Sequence, residues 1–290
     1  MDCALCLYRR GYMEILEATE DPEVRLKACR ALFHMLAENL KPSAVPAVIG
    51  TKRERLIKQV TGNPDPWAEK KRLSNLEALK LLPFAEKMIE EEWEPAARFR
   101  KACLVAIVGN IMEFNIPGHR FEFEDINGLM HEAERDLVID DISEAFNKAQ
   151  KASLILFLTD NTGEIVFDTL LVKELRNAAT EGRVVVAVKG KPTYNDATME
   201  DALLVGMDKV SDSLISIGTD SMGLIPSECS EESLDVYNLA DLVVAKGMGY
   251  AETLTEFDLK APHLLLLRTK CMNVADYFGV PRHKNIAKLI

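Results

Sequence analysis

Through the first half of the chain apolar residues recur every three or four positions; in the second half they collect into short unbroken runs. EVRLKACRALFHMLAENL (23–40) carries the apolar stripe of an amphipathic helix. PWAEKKRLSNLEALKLLPFAEKMIEE (66–91) repeats that spacing on both sides of Pro83, where the missing backbone donor is expected to kink or end a helix. Asp65 and Pro66 offer a cap and a first-turn proline, so a helix is expected to start there. PAARFRKACLVAIVGNIMEF (95–114) is more apolar and reads as a buried central helix. β-Branched runs are scarce before residue 147, and this half is predicted to be helical almost throughout.

The texture then changes. SLILFLTD, RVVVAVKG, SLISIGTD, ADLVVAKG and HLLLLRTK are five apolar runs, each ending on a polar or glycine turn and all but one separated by helical segments. Such strands alternating with helices predict a parallel sheet covered on both faces. The fold class expected is α/β: a helical N-terminal region, 1–148, packed on a Rossmann-like domain, 149–290, with helices on both faces of its sheet. No internal repeat, low-complexity tract or long linker interrupts it.

Composition narrows the partners. Lys plus Arg number 35 against 46 Asp plus Glu, and a net charge of -11 argues against nucleic acid, which needs a basic surface. No apolar run approaches the ~20 residues of a membrane span, and the N-terminal residues lack the pattern of a signal peptide, so a cytoplasmic location is expected. Six cysteines are scattered, with Cys3 and Cys6 forming a C-x-x-C pair. No second pair or histidine spacing completes a zinc site. A local disulfide or paired thiols, a partial metal site, and no role all stay open for them.

In open parallel sheets ligands sit beyond the carboxyl ends of the strands, and there this sequence concentrates its polar residues. Asp160, Asn161, Gly163 and Glu164 follow the first run; Lys189, Gly190 and Lys191, then Asn195, Asp196, Glu200 and Asp201, follow the second. Gly218 to Ser221 follow the third, Lys246, Gly247, Gly249 and Glu252 the fourth, and Lys270 the fifth. Asp and Asn oxygens suit Mg²⁺ or Mn²⁺ and accept other first-row ions. Lysines offset phosphoryl charge, and glycines let backbone N–H groups approach an anion. Each element also has a plain structural reading: Asp160-Asn161 as a helix cap, Asp196 or Thr198 ahead of Glu200 or Asp201 as another, the lysines as solvated charges. Dinucleotide, P-loop and α/β-hydrolase motifs are absent. In VGNIMEFN, the Gly109-Asn110 pair lowers helix propensity late in an apolar helix, and Glu113 follows in an apolar setting. Either a plain helix end or a helix end facing the strand-end cleft accounts for it.

The early VGNIMEF, followed by LTDNTGEIVFD, VKGKPTYNDATMEDA and ADLVVAKGMGYAET across nearly the whole chain, resembles the metal-dependent damage-control phosphatase family, also catalogued as domain of unknown function 89. The opening CALCLYRR resembles the C-x-x-C start of its archaeal and bacterial subfamily. The resemblance implies a divalent ion (Mn²⁺, Mg²⁺, Co²⁺ or Ni²⁺) held by Asp160, Asn161 and Asp196, with Lys246 contacting a substrate phosphate. Glu164, Lys189, Asn195, Gly247 and Glu113 are expected to line the substrate site. It further implies hydrolysis of a small phosphorylated metabolite, a sugar phosphate or damaged cofactor precursor. Three departures stand out: Thr162 replaces an alanine of the turn, Met112-Glu113 stand where Ile-Asp is usual, and Tyr250 replaces the asparagine of AKGMGN. The competing readings are a non-catalytic metabolite- or nucleotide-binding protein and a carboxyl methyltransferase using S-adenosylmethionine, which the missing glycine-rich turn disfavours.

Overall fold

The computed structural model describes residues 2–111 and 123–290. The chain begins with α1 (Asp2–Ala18), α2 (Pro22–Asn39), α3 (Pro46–Thr61), α4 (Ala68–Glu90), α5 (Pro95–Ile111) and α6 (Phe123–Arg135). Then follow β1 (Leu137–Asp140), α7 (Ile142–Ala149), β2 (Leu154–Leu158), α8 (Glu164–Ala178) and β3 (Arg183–Val188). Next come α9 (Met199–Leu204), α10 (Met207–Val210), β4 (Ser213–Ser216), α11 (Glu231–Leu239) and β5 (Leu242–Lys246). The last elements are α12 (Gly247–Leu254), β6 (His263–Arg268), α13 (Met272–Phe278) and β7 (Asn285–Leu289).

The five apolar runs are β2 to β6; β2, β3, β5 and β6 are buried on successive residues because helices cover both faces, while β4 at the edge keeps a serine at each end. Ile155 and Phe157 of β2 join one core with α4, α5, α7 and α8; Leu156 and Leu158 join the opposite core with α11, α12 and α13. Helices α1 to α3 close a third cluster around Ile15, Leu32 and Ile57. Asp21 starts α2 by accepting the Glu23 and Val24 N–H groups at 2.8 and 3.3 Å.

The sheet runs in the order β1-β7-β6-β5-β2-β3-β4, with β5, β2, β3, β4 and β6 in parallel register. From β2 the chain moves outward through β3 to β4 on one side, then returns to β5 and β6 on the other. The strand order therefore reverses between β2 and β5, and that crevice is where a doubly wound sheet opens a binding site.

Three sequence-based expectations are changed or narrowed. The helical half contains β1, paired in parallel with β7, which itself runs antiparallel to β6. Both are short edge-side strands mixing apolar with polar residues, so neither shows an unbroken apolar run. Pro83 does not end α4, because Leu81, Ala85 and Ile89 are buried on both sides of it and outweigh one forfeited helical hydrogen bond. That helix begins at Ala68 rather than Pro66; Asp65 instead accepts the Trp67 N–H at 3.2 Å.

Candidate active site

Asp160 and Asn161 leave the end of β2 and stand half-buried at the crevice. Their side chains do not cap α8, whose N-cap is Gly163 without a side-chain cap bond. Asn161 Nδ2 instead donates to Asp160 Oδ2 at 2.7 Å and to Glu164 Oε2 at 2.9 Å. Asn110, at the end of α5, repeats the arrangement: its Nδ2 donates to Asp160 Oδ2 at 3.0 Å and Glu164 Oε2 at 2.7 Å. The helix end carrying Gly109-Asn110 thus does face the crevice. Glu113, expected there from the sequence, lies outside the described residues.

Beneath them the ammonium of Lys246, fully buried, donates to Glu164, to Asp168 Oδ1 at 2.7 Å and to the Ala106 carbonyl at 3.0 Å. These three acceptors match its three N–H groups, so Lys246 holds carboxylates in place and has no donor left over for a phosphate. Gly247 follows at φ +80, and a Cβ there would lie 1.8 Å from Asp160 Oδ2. Glycine is required for β5 to approach the carboxylate that closely.

Asp196 arrives on the segment after β3. A β-bridge joins Asn161 to Asp196, and the Ala197 N–H donates to the Asp160 carbonyl at 2.8 Å. The Asn195 carbonyl accepts the Thr162 N–H at 2.8 Å, so Asn195 ties this segment to the turn through its backbone. Asp201, not Asp196, serves the next helix: its Oδ2 accepts the Thr198 N–H and hydroxyl at 2.9 and 2.8 Å, which leaves Asp196 for the crevice. Tyr194, with φ +41, donates its N–H to Glu54 Oε2 at 3.2 Å, a strained turn held from α3. Lys189 is buried, donating to the Ser221 and Gly223 carbonyls at 2.8 and 2.9 Å, 3.5 Å from Asp196 Oδ2 and 4.6 Å from the centre of the Tyr250 ring.

The charges interact strongly. Burial, with Glu164 and Asp196 adding to it, raises the Asp160 carboxyl well above the usual carboxylate range. Burial pushes Asp168 up to about 7 and Asp196 up to about 6, with Lys246 and Lys189 opposing it. Burial also acts to raise Glu164, but the Lys246 ammonium together with the Asn110 and Asn161 hydrogen bonds offsets it and holds Glu164 below its ordinary value. Burial alone would lower Lys246; Asp168 and Glu164 reverse that and keep it protonated.

These groups fit a divalent cation by charge and donor chemistry. Four carboxyl groups, Asp160, Glu164, Asp168 and Asp196, meet around two buried ammoniums, and a divalent ion would favour the ionised forms that burial disfavours. Because the Asn161 N–H groups are taken by carboxylates, its acceptor oxygen is turned away from them. Among the described residues no three His, Cys, Asp or Glu side chains are grouped to hold an ion. The expected set contains only two carboxylates, with an amide as the third donor.

Sequence reasoning missed Asp168 and Asn75 as members of this network. Asn75 bonds Asp201 Oδ1 at 2.8 Å and the Gly163 N–H at 2.7 Å, fixing the turn from α4. Asp168 sits one helical turn after Glu164, and that spacing within an apolar helix was the available signal. Cys3 and Cys6 are free thiols on α1, and Cys3 Sγ accepts a hydrogen bond from Asn273 at 2.7 Å.

A doubly wound sheet with this cluster at its switch point agrees with the family comparison: the chain belongs to the damage-control phosphatase ARMT1-like family, whose domain description matches residues 1–286. It is thereby a hydrolase of the phosphatase class. Among its relatives is a damage-control phosphatase of Archaeoglobus fulgidus, 35% identical over 99% of this chain and 98% of the relative. A damage-control phosphatase of Pyrococcus horikoshii is 32% identical over 97% of this chain and 94% of its own. The crystal structure of a family protein from Pyrococcus horikoshii superposes with a TM-score of 0.87 at 31% identity, covering 99% of this chain and 97% of that one. No helix among the described residues is long and apolar enough to cross a membrane.

Proposed function

We propose that the chain hydrolyses phosphate monoesters of small, damaged metabolites, using a divalent ion held by Asp160, Asn161 and Asp196. The observation supporting this is the meeting of Asp160, Asn161 and Asp196 at the switch point, in a cluster where four carboxyl groups surround two buried lysines. Hard oxygen donors suit Mg²⁺ or Mn²⁺, with Co²⁺ and Ni²⁺ accepted by the same set. When bound, such an ion offsets phosphoryl charge and lowers the pKa of water.

The protein groups have separate tasks. Asn110 and Asn161 clamp Asp160 and Glu164 in one orientation, so the crevice is assembled before substrate arrives. Glu164, kept ionised by Lys246, accepts from both amide groups and so fixes the orientation of Asp160, which leaves Asp196 as the carboxylate that orients the attacking water. Lys246 contributes positive charge from below the site rather than a hydrogen bond to phosphate. Gly247 leaves room for Asp160, and Lys189 anchors the segment that carries Asp196.

The test is phosphate release from a panel of sugar phosphates and phosphonucleotides. The chelator-treated protein is assayed with Mg²⁺, Mn²⁺, Co²⁺ or Ni²⁺ added singly. Release that depends on the ion and is lost in Asp160→Ala is expected. Absence of release with every ion, or full activity in Asp160→Ala, would sink the reading.

A further inference from the structure

An open pocket of about 520 Å³ is lined by Arg55, Lys191, Gly218, Thr219, Asp220 and Glu228. It lies at the carboxyl ends of β3 and β4, the same edge of the sheet as Asp160. One segment, residues 189–196, joins the two places. Its start packs against the cavity, where the Gly190 N–H donates to the Thr219 carbonyl at 2.9 Å. A Cβ at Gly190 would lie 2.5 Å from the Gly218 backbone, so the two loops touch. Its far end is Asp196. Lys58 spans both sides, bonding the Pro192 carbonyl and lying 3.6 Å from Asp220 Oδ2.

The cavity's chemistry differs from that of the crevice. Arg55 reaches across from α3 and donates to Asp220 Oδ1 from Nε at 2.9 Å and Nη2 at 2.7 Å, to Glu228 Oε1 at 3.2 Å and to Thr219 Oγ1 at 3.3 Å. The Thr219 hydroxyl donates to Glu228 Oε2 at 3.0 Å. Burial acts to raise Asp220, but the Arg55 hydrogen bond overrides it; for Glu228 that bond is the main influence, and both carboxyls stay below their ordinary values. Two ionised carboxylates repel a phosphate, yet the lone pairs left on Glu228 Oε1 and Asp220 Oδ2 after Arg55 and Thr219 take their bonds are fixed acceptors for hydroxyl groups. A volume of several hundred Å³ with a few convergent polar groups is that of a small-ligand site.

The geometry points to this cavity as the place where the leaving alcohol is read, with Asp220 and Glu228 accepting hydrogen bonds from vicinal hydroxyls while the phosphate occupies the crevice beyond Asp196. This assignment rests on the phosphatase reading and adds the residues that set substrate preference. Arg55 is a positioning residue that holds both carboxylates in register.

The experiment compares kcat/KM for hexose and pentose phosphates with that for p-nitrophenyl phosphate, whose leaving group has no vicinal hydroxyls. Wild type, Asp220→Asn and Glu228→Gln are each assayed with the preferred ion. The sugar-phosphate to p-nitrophenyl-phosphate ratio is expected to fall tenfold or more in each variant, with most of the change in KM. A ratio within twofold of wild type in either folded variant overturns the cavity assignment while leaving the phosphatase reading intact. No phosphate release by wild type from any of these substrates overturns both. Glu228 lies at the exposed side of the cavity, and its isosteric replacement decides the matter if Asp220→Asn fails to fold.

Discussion

Replacing Gly247 by alanine tests the closest approach in the site. The added Cβ would lie 1.8 Å from Asp160 Oδ2 and 2.4 Å from its Cγ, so the carboxylate must move. Movement breaks the hydrogen bonds from Asn110 at 3.0 Å and Asn161 at 2.7 Å. Holding alanine at φ +80 costs roughly 1–2 kcal/mol, and each lost bond to a charged group about 1.5–3 kcal/mol before relaxation. With partial relaxation the loss should be about 3–5 kcal/mol, lowering the melting temperature by roughly 6 °C or more. A displaced Asp160 carboxylate should also reduce kcat/KM by about 100-fold if the proposed function holds. Gly62→Ala is the internal control: Gly62 has φ +72 but nothing within 4 Å of the built Cβ, so only the backbone strain applies. Thermal denaturation and metal-supplemented phosphatase assays on the two variants separate strain from collision. Equal melting temperatures in the two variants, with Gly247→Ala retaining wild-type activity, would refute the reasoning.

Three further outcomes follow from the same structure. Lys246→Met leaves Glu164 and Asp168 buried without their counter-ion and should cost about 3–5 kcal/mol in urea unfolding, more than half of it recovered when Glu164→Gln and Asp168→Asn are added; no recovery would contradict the pairing. Asn110→Ala removes donors to both Asp160 and Glu164, so kcat/KM should fall at least tenfold with the fold retained by circular dichroism; a change under twofold would remove Asn110 from the site. Glu14 lies buried beneath α3, 3.6 Å from Arg53 Nε, and burial followed by the charge of Glu54 pushes it up to about 9. The folded state therefore keeps a proton that the unfolded chain releases above 4.5, and this contribution to stability is present below that pH and is lost as pH climbs toward 9. Glu14→Gln should be near neutral at pH 5 and stabilising by more than about 1 kcal/mol at pH 8, measured by urea unfolding; a pH-independent difference would exclude Glu14 as the titrating group.

Much of this protein was legible in its sequence, because some of its signals are local. The runs at β2, β3, β5 and β6 are apolar on successive residues since both faces of the sheet are covered, and that pattern needs no tertiary knowledge to read. The turn after β2 likewise displayed Asp160, Asn161 and Glu164 at a strand end, where an open parallel sheet presents its ligands. Periodicity left Asp160-Asn161 undecided between cap and ligand, since a cap bond is decided by where the side chain points. The tertiary structure sent both amide groups, Asn110 and Asn161, onto the Asp160 and Glu164 carboxylates, and gave the capping task after β3 to Thr198 and Asp201. It also set the partners of Lys246. A lysine at a strand end reads as a free cation, but between β5 and α8 its ammonium is enclosed, and burial of a charge demands the counter-charges that Glu164 and Asp168 supply. The edge strand β1 and its neighbour β7 escaped notice because their pairing, across more than 140 residues, is decided by sheet closure and not by any short-range pattern. Local composition thus determined the elements and the chemistry on offer, whereas the enclosed, low-dielectric interior decided which charges meet and which face the crevice.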